Sequence, residues 1–223
     1  MARLAVILLL TSATVPWPLP TASPDGSLFV TQNPEWHEGL DADAPIGFFI
    51  APDDAEDSAA TAGDAQLARW ALDAWETAAA GRLELVPAPP DRALIQLYWV
   101  AANEGLYGEM RPFVRGAQRG AVVFVLPDTR GLGQAIHRRA RRDPLFRDTV
   151  IYLTCLHELG HAFGLGHTAD YDDIMYSFAY GGDILGYFQR YRDRIRTRDD
   201  IAAKPRLSQP DVARLRALYE ESP

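Results

Sequence analysis

Apolar positions recur along the chain with two periods, and the switches between them lay out the elements. Ile46 to Ile50 is a short apolar run that reads as a strand. From about Asp64 to Ala80, Leu67, Trp70, Ala71, Ala74 and Trp75 return every three or four residues and share one face of an amphipathic helix, which Gly81 ends. Leu83 to Val86 and Leu94 to Val100 read as strands separated by the breakers Pro87, Pro89 and Pro90, and a third strand, Val122 to Leu126, closes at Pro127. Asp143 and Pro144 make an N-cap and first turn for a long apolar helix running through Leu165. Ser208 and Asp211 have the spacing of a capping box and open a last helix carrying Val212, Leu215, Leu218 and Tyr219. Strands first and helices late, with few crossovers, predict an α+β fold with a mixed sheet.

Between the last two helices, Tyr187, Phe188, Tyr191 and Ile195 fall at helical spacing, interleaved with Arg190, Arg192, Arg194, Arg196 and Arg198. A helix packed on the domain with its arginines in solvent is favoured over contact with an anionic membrane surface. The stretch from Asp53 to Gly63 reads as a loop and not as a domain boundary, and there is no internal repeat.

The chain has 223 residues, 48% of them apolar and 23% charged, which is enough for one globular core. Collagen-like, coiled-coil and disordered classes are excluded. A net charge of −8 argues against a nucleic-acid partner. Charge is uneven along the chain: fourteen acids stand against Arg69 and Arg82 in residues 25–91, and nine arginines against Asp128 and Asp143 in 111–147. With Cys155 as its sole cysteine the chain has no intramolecular disulfide and no thiol-rich zinc ribbon, and stability must come from packing and metal. Cys155 itself is expected to be an inert buried thiol.

At the N-terminus Arg3 precedes the apolar run Leu4 to Leu10, and the small residues Thr11, Ser12 and Ala13 follow. This has the form of a secretory signal peptide, with cleavage after Ala13 or Ala22 and a mature domain spanning 23–223. Pro16, Pro18 and Pro20 interrupt the stretch too early for a membrane span. A secreted or periplasmic location follows as an expectation.

The chemistry lies in the long helix, where residues 157–167 read HELGHAFGLGH. His157 and His161 are four apart, so on a helix both imidazoles leave from one face and can grip one metal ion. Glu158, beside the first ligand, can reach water on the metal without ligating the metal itself. Gly164 lets the helix stop and the chain turn, because a residue without Cβ takes φ > 0 cheaply. The turn can bring His167 back as third ligand, and three neutral nitrogens leave a fourth position open, as at a catalytic zinc. The remaining histidines, His37 and His137, read as surface residues.

Met175 follows eight residues after His167, in DDIMY. HExxHxxGxxH followed by a methionine turn is the signature of the metzincin zinc metallopeptidases. Among them the chain resembles the matrixins, on Thr168 after the third His, Asp170 three beyond it, Tyr176 after Met175, and the closing LSQPDVARLRALY. The helix with Trp70 and Trp75 and the segment GAVVFV at 120–125 extend the resemblance over most of the chain after about residue 30. It implies a zincin-type catalytic domain: a mixed twisted sheet, a long active-site helix, a methionine turn with Met175 flooring the metal, and a C-terminal helix. It also implies that the chain after the turn walls the substrate pocket, making Tyr176, Phe178 and Tyr180 pocket candidates, although Ser177 stands where the family has proline.

Other departures bear on cofactors. Matrixins hold structural zinc and calcium through a GxxHFD segment, and Val123 and Val125 occupy the ligand positions here, so one catalytic zinc is expected and calcium is left open. No cysteine lies upstream to plug the metal. The reading is a monomeric, secreted zinc endopeptidase acting on protein or peptide, with extracellular matrix among its settings, Glu158 as general base, and a core built around Trp70, Trp75, Phe124 and Leu159. Two alternatives stay open: a metal-holding binding protein without useful turnover, and a zinc amidase acting on a non-protein substrate.

Overall fold

The computed structural model describes residues 39–55, 58, 60–100 and 107–220, with the backbone of Phe29–Val30. The signal-peptide reading of residues 1–22 and the surface reading of His37 lie outside the described residues.

Six strands form one sheet: β1 (Phe29–Val30), β2 (Ile46–Ile50), β3 (Leu85–Pro87), β4 (Ile95–Trp99), β5 (Gly108–Arg115) and β6 (Gln118–Val125), in the order β1-β5-β6-β4-β2-β3. β6, β4, β2 and β3 are parallel neighbours, whereas β5 runs antiparallel to β6 and to β1, so the sheet is mixed. Among the described residues six α-helices accompany it: α1 (Asp64–Ala79), α2 (Gln134–Arg142), α3 (Pro144–Ala162), α4 (Ile184–Arg192), α5 (Asp200–Ala203) and α6 (Gln209–Leu218). The fold is α+β, with α3 packed against α1, α2 and α4 and against strands β5 and β6.

α1 forms where the apolar spacing places it. Gly63 offers no side-chain cap, and Asp53 serves instead, its carboxylate accepting from Gly63 N at 2.6 Å and Ala65 N at 2.7 Å. Trp75, fully buried, donates its indole N–H to Leu156 O at 2.8 Å and so pins α1 to the middle of α3. α3 starts as expected, with Pro144 in the first turn and Asp143 accepting from Phe146 N at 3.2 Å. It ends at Ala162, three residues short of Leu165. α6 opens with the full capping box between Ser208 and Asp211. Its last turn leads to Tyr219, whose hydroxyl accepts from Leu40 N at 3.0 Å and donates to Phe163 O at 3.2 Å.

Several expectations change. β5 was not legible, because Pro112 and the charged Glu109, Arg111 and Arg115 break its apolar alternation. α2 has no apolar period to announce it, since Ile136 and Ala140 are its only buried residues and four arginines with Gln134, Ala135 and His137 make up the rest. Phe124 lies on the opposite sheet face from the main core, in a small cluster with Phe113 and Val122, because side chains alternate along β6. Trp70 is half-buried at the core margin. The arginines after residue 189 divide: Arg194 and Arg196 are exposed, whereas Arg192 reaches Asp143 at 2.9 Å and Arg198 reaches Asp148 at 2.9 Å.

The ion pair that ties α1 to α3 is the most enclosed. Asp64 is 1% exposed and takes both Arg147 guanidinium nitrogens at 2.8 Å. Arg147→Ala strands that carboxylate with Thr61 as its remaining partner, and a loss of about 2–4 kcal/mol in urea unfolding is expected. A change below about 0.5 kcal/mol, the size typical of an exposed pair, would contradict this assignment.

Candidate metal centre

α3 places His157 and His161 one turn apart on a single face, and the chain then reverses. Gly164 sits at φ 94°, the left-handed conformation expected of it. His167 returns so that its Nε2 lies 3.2 Å from the Nε2 of His157 and 3.2 Å from that of His161. The donor atoms of the three side chains all lie within 4.8 Å of one another.

Two backbone carbonyls fix how these rings are used. His157 Nδ1 is 2.7 Å from Ile174 O and His161 Nδ1 is 2.8 Å from Leu165 O. A carbonyl only accepts, so each Nδ1 carries the proton and each Nε2 keeps its lone pair. Those lone pairs point at the region shared with His167. Nitrogens at about 2.0–2.1 Å from one tetrahedral zinc stand about 3.3–3.4 Å apart, and the observed separations match that spacing. The three residues fit a zinc ion. Enclosure of the His157 ring pushes its pKa down to about 4, which keeps it neutral and able to ligate at ordinary pH.

Glu158 is buried at 8% exposure, one residue on from the first histidine. Burial pushes its carboxyl up to about 8, with the charge of Glu109 adding to the effect. Strand β5 passes directly over it: a Cβ built on Gly108 falls 2.6 Å from Glu158 Oε1. Glycine at 108 leaves room for the carboxylate. Neither Gly108 nor Glu109 was singled out from sequence, and no local motif marks them.

Met175 is fully buried, with its Sδ packed against the Gly160 position of α3. The chain around it is held by backbone bonds, Thr168 N to Met175 O at 2.8 Å and Ser177 N to Thr168 O at 3.1 Å. Asp211 of the α6 cap reaches in as well, accepting from Ile174 N at 2.8 Å. The three aromatic pocket candidates differ in setting. Tyr176 is buried, its hydroxyl donating to Gly181 O at 2.7 Å, whereas Phe178 is half-buried and Tyr180 is 66% exposed. Cys155 is fully buried, which pushes its thiol well above the ordinary range. His137 is half-buried, with Nδ1 3.1 Å from Thr129 Oγ1, away from the three-histidine group. Val123 and Val125 lie in the main core and offer no lone pairs.

Comparisons with known proteins identify the family. Residues 53–183, more than half of the chain, match the family model described as Matrixin. Interstitial collagenase from Sus scrofa is 28% identical over 138 residues, which is 56% of this chain and 25% of that protein. The chain thus spans about a quarter of the length of this curated relative.

Gly160, between the first two histidines, is required by contact. A Cβ there lies 2.3 Å from Met175 Sδ and 3.0 Å from Trp75 Cζ2, and neither neighbour has room to retreat. Gly160→Ala is expected to lower unfolding free energy by about 1–3 kcal/mol in chemical denaturation. An unchanged or raised midpoint would show that Met175 is less tightly held than described.

Proposed function

Because the chain belongs to the matrixin family of zinc metallopeptidases, we propose that it is an endopeptidase in which His157, His161 and His167 hold one zinc ion and Glu158 is the general base. The observation that carries this reading is the convergence of three imidazole nitrogens beside one buried carboxylate.

His157, His161 and His167 would hold the zinc ion, which when bound would supply Lewis-acid polarisation of a scissile carbonyl and would lower the pKa of water from 15.7 toward roughly 7. Glu158 takes the proton of the attacking water and hands it to the leaving amine. Burial raises its affinity for that proton, and a neighbouring dication lowers it. Opposed influences of this kind suit a group that must both accept and release a proton near neutral pH. Gly108 keeps any side chain from intruding on the carboxylate. Phe178 and Tyr180 wall the pocket for the substrate residue beyond the scissile bond, and Tyr176 backs Phe178 with ring centroids 5.3 Å apart. Met175 floors the metal site with an apolar thioether.

The substrate is a protein or peptide, and the chain acts as a monomer without a nucleic-acid partner. Arg3 and the Leu4 to Leu10 run favour export, with residues 1–22 as signal peptide and 23–223 as the peptidase domain. Among the described residues no helix is long and apolar enough to cross a membrane.

Glu158→Gln leaves the ligand set intact while replacing the base with a neutral amide. It is expected to retain zinc and to lose peptidase activity on the order of 10²-fold or more, measured on a mixed peptide library. Near-normal turnover of the zinc-loaded variant would sink the mechanism.

The parent chain is expected to bind one zinc, and His167→Ala well below one, by elemental analysis. Full zinc content in that variant would show that the third histidine is not a ligand.

A further inference from the structure

Helix α4 belongs to a stretch longer than the matrixin resemblance requires, and nothing in the mechanism above uses it. We infer that Tyr187 of α4 is a positioning residue for the metal-holding histidines, acting through the Asp173–Ile174 peptide group. The inference rests on the three-histidine reading of the site.

That peptide group is gripped at both ends. Its carbonyl, Asp173 O, accepts from the Tyr187 hydroxyl at 2.9 Å, and its N–H, on Ile174, donates to Asp211 Oδ2 at 2.8 Å. The following carbonyl, Ile174 O, is the acceptor for His157 Nδ1 at 2.7 Å and lies 3.5 Å from the same hydroxyl. A peptide unit is rigid and planar, so holding its oxygen and its nitrogen fixes the plane from which the Ile174 carbonyl departs. The φ and ψ of Ile174 are the torsions left between them, and the Tyr187 hydroxyl and His157 Nδ1 both lie against that carbonyl. The angle at which Ile174 O meets the imidazole is thereby set from outside the histidine motif. An acceptor on the non-ligating nitrogen orients the ring and raises the basicity of the ligating one.

Tyr187 is itself immobilised. It is 5% exposed, and its ring centroid lies 5.2 Å from Phe178, 5.6 Å from Tyr171 and 5.8 Å from Phe188. Tyr191, one turn on in the same helix, is an internal control. It is equally buried, but its hydroxyl donates to Lys204 O at 3.0 Å and Ile201 O at 3.3 Å, contacts that do not touch the site.

The test compares the parent chain with Tyr187→Phe, Tyr191→Phe and His157→Ala. Zinc affinity is read by competition with a chromophoric chelator, and unfolding of the zinc-free proteins is followed in parallel. Tyr187→Phe keeps the ring packing and removes one hydroxyl. Its zinc affinity is expected to fall about tenfold, the low end of what partners of metal-bound histidines contribute. Tyr191→Phe is expected to lose comparable stability with zinc affinity unchanged, and the visible spectrum of the cobalt-loaded protein is expected to shift in Tyr187→Phe and to stay parental in Tyr191→Phe. Parental zinc affinity in Tyr187→Phe, alongside lost affinity in His157→Ala, would overturn the inference. So would equal weakening in Tyr191→Phe, which would mark a general loosening of α4. Parental affinity in His157→Ala is a separate failure: it removes the histidine reading and takes the inference with it.

Discussion

A neutral imidazole carries one proton, and the acceptor that takes it decides which nitrogen is left with a lone pair. At this site the acceptors are Ile174 O and Leu165 O, and much of the surrounding structure serves to present them. Leu165 O is delivered by the turn at Gly164, whose Leu165 N bonds back to Gly160 O at 2.9 Å. Ile174 O comes from the methionine turn, which meets the chain after His167 through the Thr168 and Ser177 amides. Helix α3 aims the two rings in the same direction, and the loop carbonyls choose their tautomer. A helix alone would leave both rings free to present either nitrogen.

This division explains what the sequence made legible. His157, Glu158, His161, Gly164 and His167 are side-chain identities at fixed offsets, and helix geometry turns those offsets into positions. The capping pairs at Asp143 and Ser208–Asp211 were readable for the same reason, because each is a local contact between residues three apart. The acceptors were not readable. A backbone carbonyl has no residue signature, and Ile174 resembles any other apolar residue next to Met175. The second role of Asp211, reaching Ile174 from 37 residues away, is invisible to any local window. β5 and α2 escaped on a different ground: each buries too few side chains for its periodicity to rise above its charges. Phe124 is indistinguishable in sequence from the main-core residues beside it because six consecutive residues of β6, Gly120 to Val125, are buried, so the strand shows no polar face to orient it.

The segregation of charge along the chain is partly undone by folding. Asp64 from the acidic third meets Arg147 from the basic segment. The later arginines are used in the same way, Arg192 and Arg198 on Asp143 and Asp148, and Arg214 on Asp173 at 3.1 Å. Exposed pairs contribute little individually. Their value lies in geometry, since Asp143 and Asp148 both sit at the start of α3 and fasten the segment containing α4 against it. Asp173, 1% exposed, also accepts from the Ser208 hydroxyl at 2.6 Å, which locks the methionine turn to the α6 cap.

The Tyr219 hydroxyl joins Leu40 N to Phe163 O, across sequence separations of 179 and 56 residues. Contacts of such range close large loops, so the segments around Leu40 and Phe163 must both be in place before this hydroxyl is satisfied. Ser208, Asp211 and Tyr219 come from a segment well beyond the histidine motif in sequence, yet they hold the Ile174 amide, Asp173 and the end of α3 on which the orienting carbonyls depend. Closure of the site therefore waits on the final helix.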